Sequence, residues 1–293
     1  MSHVVSKPTA PFSGAAEGGA IEVHQVPFDV DNFTWLLVCK TTGETAAVDG
    51  GEAAPVLDYV ARESLNLTTI LTTHTHGDHI GLHRELAELG KLDALRVVGN
   101  EALSSVIPGL ERGEGVGEGS RVKLGAVEGD VLLTEGHIDG HLTYVFGDVM
   151  FPGDTLFAGG CGYLFDGPPA KMHASLSRLA GLDGGVRVCC AHEYTEDNLR
   201  FAWSLEPDNQ ALAERIQSVW ALRARGESSV PSTVAEERAT NPFLRCDSQT
   251  LRAAVGEAMP DAPMDTAADV FAATRALKNG GAYKKLGDTG LPL

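Results

Sequence analysis

The sequence predicts an α/β domain followed by a helical C-terminal domain. Up to about residue 193, short apolar runs rich in β-branched residues alternate with turn signals and helical stretches. Beyond residue 193, the apolar residues recur at helical spacing. With 293 residues, of which 43% are hydrophobic, the chain is long enough to form a core in each of two domains.

The first 20 residues are predicted to form a flexible N-terminal tail. They are rich in Gly, Pro, Ser and Ala and contain no continuous apolar segment, so they do not resemble a secretory signal. No apolar run in the chain reaches the roughly 18 residues that a membrane-spanning helix needs. We therefore expect no membrane partner.

Strands and helices alternate through the predicted α/β domain, residues 21–193. Pro55 suits the first turn of the first helix, and Gly90 closes the second. The predicted strands are 20–28, 33–40, 45–51, 68–73, 96–99, 131–134, a hairpin over 143–154, and 185–192. The predicted helices are 54–65 and 80–89, and a Gly-rich loop is expected at 111–120.

The helical domain is predicted over residues 194–293. Two helical stretches fill 196–227 and are interrupted near Pro207, where a helix cannot continue. Further helices are expected at 231–240 and 266–279.

Charge and cysteine content narrow the class of protein. There are 40 acidic and 23 basic residues, which give a net charge of −17, so nucleic-acid phosphates should be repelled. The five cysteines form no compact framework and indicate reduced thiols in a cytoplasmic protein. The adjacent Cys189 and Cys190 are expected to be small buried side chains.

Ligand-type side chains follow four of the predicted strands. The stretch THTHGDH, residues 73–79, comes directly after the β-branched run TTILTT. The full set is His74, His76, Asp78, His79, His137, Asp154 and His192. Because loops at one edge of a sheet collect functional groups, we expect a shared site.

Seven such groups are too many for one catalytic zinc ion, which takes three protein ligands. They fit two ions that share one carboxylate, with a turn at Gly77 directing Asp78 and His79 to the second ion. His141 is expected to be a structural histidine beside the site. Four others should be structural or exposed: His3, His24, His83 and His173.

The motif T-H-x-H-x-D-H resembles the signature of the metallo-β-lactamase superfamily. Within it, four stretches (151–162, 189–195, 241–245 and 274–278) are similar to glyoxalase II, the hydroxyacylglutathione hydrolase family. The resemblance covers residues 21 to 280. It implies a four-layer αββα sandwich with a helical domain that closes over the site.

The resemblance also implies the ligand sets and the reaction. His74, His76 and His137 would hold one divalent metal, Asp78, His79 and His192 a second, and Asp154 would bridge them. Zinc is expected, with iron or manganese as alternatives. A metal-bridged hydroxide would be the nucleophile, with Asp78 and Asp154 as catalytic residues. The reaction would convert S-D-lactoylglutathione to D-lactate and glutathione, in methylglyoxal detoxification.

The same resemblance assigns the substrate-binding residues. Tyr194, Arg275 and Lys278 match residues that bind glutathione in the family. Tyr163 stands where the family commonly has a basic residue, and Phe165 where many members have tyrosine. We therefore expect weaker glutathione binding or a different thiol carrier.

Alternative functions remain open at this point. One is a thioesterase for another thiol. A second is a mononuclear-iron persulfide dioxygenase, a class that generally lacks a long helical C-terminal domain. A third is a non-enzymatic binding protein, which the complete set of seven ligand-type residues disfavours. A β-lactamase or lactonase would explain neither 189–195 nor 274–278. We expect a monomer or weak homo-oligomer acting on a small-molecule thioester.

Overall fold

The computed structural model describes residues 4–293 and consists of two packed β-sheets flanked by helices. Seven strands form the first sheet: β1 Phe12–Ala16, β2 Gly19–Phe28, β3 Asn32–Cys39, β4 Glu44–Val48, β5 Asn66–Leu71, β6 Arg96–Asn100 and β7 Glu114–Val116. They lie in chain order, antiparallel from β1 to β4 and parallel from β4 to β7.

The second sheet contains six strands, in the order β15-β14-β11-β10-β9-β8. Their bounds are β8 Arg121–Leu124, β9 Val127–Leu133, β10 Leu142–Phe146, β11 Val149–Phe151, β14 Arg187–Val188 and β15 Ser232–Thr233. A separate hairpin consists of β12 Leu156–Phe157 and β13 Gly160–Cys161.

The described residues contain eight α-helices. They are α1 Ala53–Arg62, α2 Gly77–Glu88, α3 Pro169–Ala180, α4 Thr195–Leu205, α5 Gln210–Arg223, α6 Val234–Thr240, α7 Gln249–Ala258 and α8 Ala267–Gly280. None of the described helices is long and apolar enough to cross a membrane.

The main core lies between the two sheets. Alternate residues of β3, including Trp35 and Leu37, point into it and meet Tyr144 and Phe146 of β10. Leu36 points to the opposite face and packs with α1 and α2, as the period of two in a strand requires. On the outer face of the second sheet, α3 packs in a further core. These layers form an αββα sandwich, as the resemblance implied, with the helical region from α4 onward beside it.

Two predictions need correction. The flexible tail expected over residues 1–20 is structured in part, because β1 pairs with β2 and Lys7 bridges to Glu227. Residues 1–3, which include His3, lie outside the described residues. The loop expected at 111–120 contains β7, which pairs with β6 through its backbone and needs no apolar pattern.

The helical region also contributes to the second sheet and to the hairpin. Its strand β15 pairs with β14. Glu237 of α6 is fully buried, and its Oε2 accepts a hydrogen bond from the Gly159 amide at 2.8 Å. Asn198 donates to the Ala158 carbonyl at 3.1 Å, and Asn241 to the Gly160 carbonyl at 2.9 Å. The turn of the hairpin is therefore held by side chains of the helical region.

The first turn of α2 lies directly against the turn that follows β4. The Leu82 amide donates to the Gly50 carbonyl at 2.8 Å, and the Gly50 amide to the His79 carbonyl at 3.1 Å. A Cβ at Gly81 would lie 2.0 Å from the Gly51 carbonyl oxygen. The lack of a side chain at Gly81 therefore allows this close approach.

We predict that Gly81→Ala lowers the free energy of unfolding by about 1–3 kcal/mol, because neither backbone can move without displacing α2. Denaturant unfolding would measure the change. Gly280→Ala is the matched control, since nothing lies within 4 Å of a Cβ there. Equal unfolding midpoints for the two variants would contradict this account of the packing.

Candidate metal centre

The seven ligand-type residues predicted from the sequence come together at one edge of the two sheets. His74 and His76 follow β5, while Asp78 and His79 lie in the first turn of α2. The other three follow strands of the second sheet: His137 after β9, Asp154 after β11 and His192 after β14. Loops from both sheets therefore build the site.

The seven residues form two groups on either side of Asp154. His74, His76 and His137 lie together on one side. Asp78, His79 and His192 lie on the other, and within each group the ligand atoms are within 4.8 Å of one another. This division matches the two ligand sets that the resemblance implied.

The carboxylate of Asp154 faces both groups. Its Oδ1 lies 3.4 Å from Nε2 of His79 and 3.3 Å from Nε2 of His192. Its Oδ2 lies 3.4 Å from Nε2 of His137 and 3.9 Å from Nε2 of His74. The two oxygens can therefore serve two ions, one in each group.

The inward-facing atoms are short of hydrogen-bond donors. Nε2 of His79 and Oδ1 of Asp154 are buried and have no hydrogen-bond partner within residues 4–293. Nδ1 of His76 lies 3.0 Å from Nε2 of His74 and 2.9 Å from Nε2 of His137. Three ring nitrogens that converge with a carboxylate oxygen are the donor set of a divalent transition metal. The residues present thus fit metal ions.

Each of four histidines has a partner for its outer ring nitrogen, which leaves Nε2 directed at the site. The partners of Nδ1 are Thr73 Oγ1 for His74 (3.0 Å), Asp49 Oδ2 for His79 (2.9 Å), the Tyr163 carbonyl for His137 (2.7 Å) and Asp31 Oδ1 for His192 (3.5 Å). A ring whose Nδ1–H donates outward keeps a lone pair on Nε2 for a metal.

Asp49 is a site residue that the sequence analysis missed. It directly follows β4 in a left-handed backbone conformation, with φ of 56°, and its side chain is buried. Its Oδ1 accepts from the Thr73 amide at 2.8 Å, and its Oδ2 from the Thr73 hydroxyl at 2.6 Å and from His79. Because it contacts the outer nitrogen of His79, we assign it to positioning that ring. The available signal was its place at a strand end.

The electrostatics of the site favour positive charge. Burial opposes ionisation of Asp154, but the charges of His192 and His79 outweigh it and hold the pKa of that carboxyl well below its usual range. Burial also opposes protonation of His192, yet Asp154 raises its pKa to about 10. The carboxylate of Asp154 therefore stabilises positive charge between the two groups, and divalent cations would supply that charge.

His141 supports the site without joining either group. Its Nε2 accepts a hydrogen bond from the Asp154 amide at 3.1 Å, and its ring stacks on His74 at 4.7 Å. Burial lowers its pKa well below the usual value, so it is neutral. The remaining described histidines lie elsewhere: His24 contacts Tyr59, His83 contacts Thr72, and His173 packs near Phe271.

A cavity of about 760 Å³ lies beside the metal centre. Among its lining residues are Tyr163, Tyr194, Arg275 and Lys278, all of them predicted substrate-binding residues. Tyr194 stacks on His192 with ring centroids 4.7 Å apart and planes at 5°. The cavity therefore opens from the second ligand group.

Two exposed aromatic rings stand over the first ligand group. Tyr163 and Phe165 are 52% and 61% exposed, and their ring centroids lie 4.9 Å apart. Phe165 lies 5.1 Å from the ring of His76 and 5.3 Å from that of His137. This part of the entrance is aromatic and carries no positive charge.

Arg275 and Lys278 line the cavity but already have partners. Nη1 of Arg275 donates to the Cys161 carbonyl at 3.2 Å, and its Nε to Asn279 at 2.9 Å. Nζ of Lys278 lies 2.7 Å from Oδ2 of Asp197. Burial lowers the pKa of Lys278 to about 8 despite that carboxylate. Both cations are therefore fixed in place by the protein.

Two protein families match the chain, and their matches meet between residues 192 and 193. The metallo-beta-lactamase superfamily matches residues 29–192. The hydroxyacylglutathione hydrolase C-terminus matches residues 193–281.

Individual proteins are similar over most of the chain. A hydroxyacylglutathione hydrolase of Gloeobacter violaceus is 44% identical over 263 residues, which cover 88% of this chain and 98% of that protein. One from Pseudomonas fluorescens is 42% identical over 262 residues, covering 88% and 99%. The crystal structure of ETHE1 from Myxococcus xanthus has a TM-score of 0.57 and 24% identity, covers 88% and 99% of the two chains, and shows the shared fold.

We predict that Asp49→Asn weakens metal binding by roughly 10- to 100-fold, because a neutral amide holds the outer nitrogen of His79 less firmly. The measurement is the metal retained per chain after dialysis against increasing concentrations of a chelator. Glu52→Gln, an exposed acidic residue three positions on, is the control. If both variants retain metal like the unchanged protein, Asp49 does not position His79.

Proposed function

Because the chain belongs to the hydroxyacylglutathione hydrolase family of the metallo-β-lactamase superfamily, we propose that it converts S-D-lactoylglutathione to D-lactate and glutathione. The chain is a metal-dependent hydrolase, and we propose that its substrates are glutathione thioesters. We propose two ions per chain, with zinc favoured over iron or manganese. Methylglyoxal detoxification is the proposed setting.

The observation that carries the two-ion proposal is the position of Asp154. Each of its oxygens faces a different group of histidines, 3.3–3.9 Å away. A single ion would leave one buried group with an unsatisfied carboxylate oxygen, which is costly. The same argument disfavours a mononuclear-iron dioxygenase, as does the match to the hydroxyacylglutathione hydrolase C-terminus.

Two divalent ions held there would supply hydroxide at neutral pH and polarise the thioester carbonyl. The protein's own groups would orient these partners. The side chain of Asp78 is 42% exposed, and its Oδ2 lies 3.4 Å from Nε2 of His192. A carboxylate at this place can both complete the second ligand group and accept a hydrogen bond from the attacking oxygen.

The leaving group needs little help. A thiol has a pKa near 8.5, so the thiolate departs readily and no dedicated general acid is required. The cavity beside the site is where the thiol carrier would lie. Tyr194 would contact it next to the metals, and Arg275 and Lys278 at the far wall.

A second candidate function is hydrolysis of a thioester of another thiol. It is favoured by the uncharged entrance formed by Tyr163 and Phe165.

The five described cysteines are all free and buried, which agrees with our proposal of a reducing compartment such as the cytoplasm.

We predict that the purified protein carries about two metal ions per chain and hydrolyses S-D-lactoylglutathione. A chelator should abolish turnover, and added metal should restore it. The lactoyl thioesters of coenzyme A and N-acetylcysteamine are the comparison substrates, with metal content measured on the same sample. Faster turnover of either one, with both metals bound, would favour the second candidate over glutathione.

We predict that Tyr163→Arg lowers the Michaelis constant for the glutathione thioester roughly two- to fivefold and leaves kcat unchanged, because a rim cation adds a weak ion pair. The Tyr163 carbonyl that holds His137 belongs to the backbone and remains. Phe165→Tyr adds no charge and is the control. No change for Tyr163→Arg would show that the entrance does not contact a carboxylate.

A further inference from the structure

The C-terminal segment, defined as residues 281–293, forms one wall of the cavity. It begins after α8 with a short 3₁₀ helix, Ala282–Leu286. Lys284, Gly287 and Asp288 of this segment line the cavity together with Arg275 and Lys278. The hydroxyacylglutathione hydrolase C-terminus match ends at residue 281, so no role for this wall follows from the family match.

An ion pair, hydrogen bonds and an apolar contact hold the C-terminal segment against α4 and α5. Arg200 of α4 pairs with Asp288 at 2.6 Å, and the Trp203 indole donates to the Gly290 carbonyl at 2.7 Å. Gln217 of α5 donates to the Pro292 carbonyl at 2.7 Å. Leu291 packs against the apolar cluster of α4 and α5. These contacts give Lys284 a defined position at the cavity.

Among the four cations of residues 4–293 that line the cavity, Lys284 is the one left accessible. The side chains of Arg200 and Lys278 are 16% and 9% exposed, and each lies within 2.7 Å of a carboxylate oxygen. Arg275 is buried. The side chain of Lys284 is 64% exposed, and its Nζ lies 4.0 Å from Oδ1 of Asp197.

The contact between Lys284 and Asp197 can be exchanged at low cost. Asp197 already accepts hydrogen bonds at Oδ2 from Lys278 Nζ at 2.7 Å and from the Tyr283 hydroxyl at 2.8 Å. An exposed ion pair contributes little, so Lys284 can turn to an incoming anion without leaving Asp197 unpaired.

We propose that Lys284 binds a carboxylate of the thiol carrier and thereby determines thiol specificity, which rests on the proposed hydrolysis of a glutathione thioester. Glutathione has two carboxylates. The side chain of Tyr163, which also lines the cavity, has no positive charge to pair with them. Lys284 supplies a cation that reaches the cavity from a wall outside the family match.

The test measures binding of S-hexylglutathione, a thioether that cannot be hydrolysed, to the metal-loaded protein by calorimetry. Lys284→Ala should weaken binding roughly three- to fivefold, the effect of one rim ion pair, and Lys284→Arg should restore it. Lys285→Ala is the matched control, because Lys285 is also exposed on the same 3₁₀ helix and is not among the residues that line the cavity. S-hexylglutathione diethyl ester, which lacks both carboxylate charges, should bind all variants equally.

Turnover of S-D-lactoylglutathione, measured in parallel, separates this inference from the proposed function. Equal binding by Lys284→Ala and Lys285→Ala would overturn the role of Lys284, even with active enzyme. Lys284-dependent binding without turnover would support Lys284 and overturn the hydrolase assignment. Absence of binding to S-hexylglutathione would overturn the role of Lys284 in glutathione recognition.

Discussion

The geometry of the site depends on the buried carboxylate of Asp154, shared between two groups of histidines. Such a charge is stable in the interior only when it is paired with positive charge and its remaining lone pairs are hydrogen-bonded. The backbone fixes its position: Asp154 follows β11, its amide donates to His141, and Gly153 before it has φ of 48°. A Cβ at Gly153 would lie 2.5 Å from Thr73 Oγ1. The loop of Asp154 and the loop of His74 must therefore approach each other at a glycine.

The helical region helps to hold this arrangement and also lines part of the cavity beside it. Glu237 and Asn241 fix the turn of the β12–β13 hairpin, and the chain continues from there to Tyr163, whose carbonyl orients His137. Buried Arg215 pairs with Glu237, and Glu237 raises its pKa against the effect of burial. The position of His137, in the first ligand group, thus depends on side chains of α5 and α6. The two parts of the chain are coupled by these polar contacts and also by a shared apolar cluster, in which Met172 of α3 packs with Phe243 and Phe271.

The clustering of the seven ligand-type residues could be predicted from the sequence because they come after the ends of four apolar strands, and strand ends meet at an edge of a sheet. The fold class and most elements could also be predicted, because the apolar residues of strands and helices recur in the sequence with periods of two and 3.6. Asp49 was missed because its role depends on a backbone turn and on contact with Thr73 and His79, which are distant along the chain. β7 was missed because it is only three residues long, and only Val116 of the three is a buried apolar residue. Periodicity shows a run of alternately buried residues, and neither one buried aspartate nor a three-residue strand forms such a run.

The acidic composition of the chain opposes the binding of an anionic thiol carrier. A net charge of −17 repels glutathione at long range, but salt screens charges separated by more than about 8 Å under physiological conditions. Recognition therefore falls to the cations that contact the substrate. Arg275 and Lys278 already donate hydrogen bonds to groups of the protein. These bonds fix their positions and leave fewer N–H donors for a substrate. Lys284 has the opposite character, exposed and weakly paired. Its charge is available at contact distance, where the remote acidic residues no longer offset it.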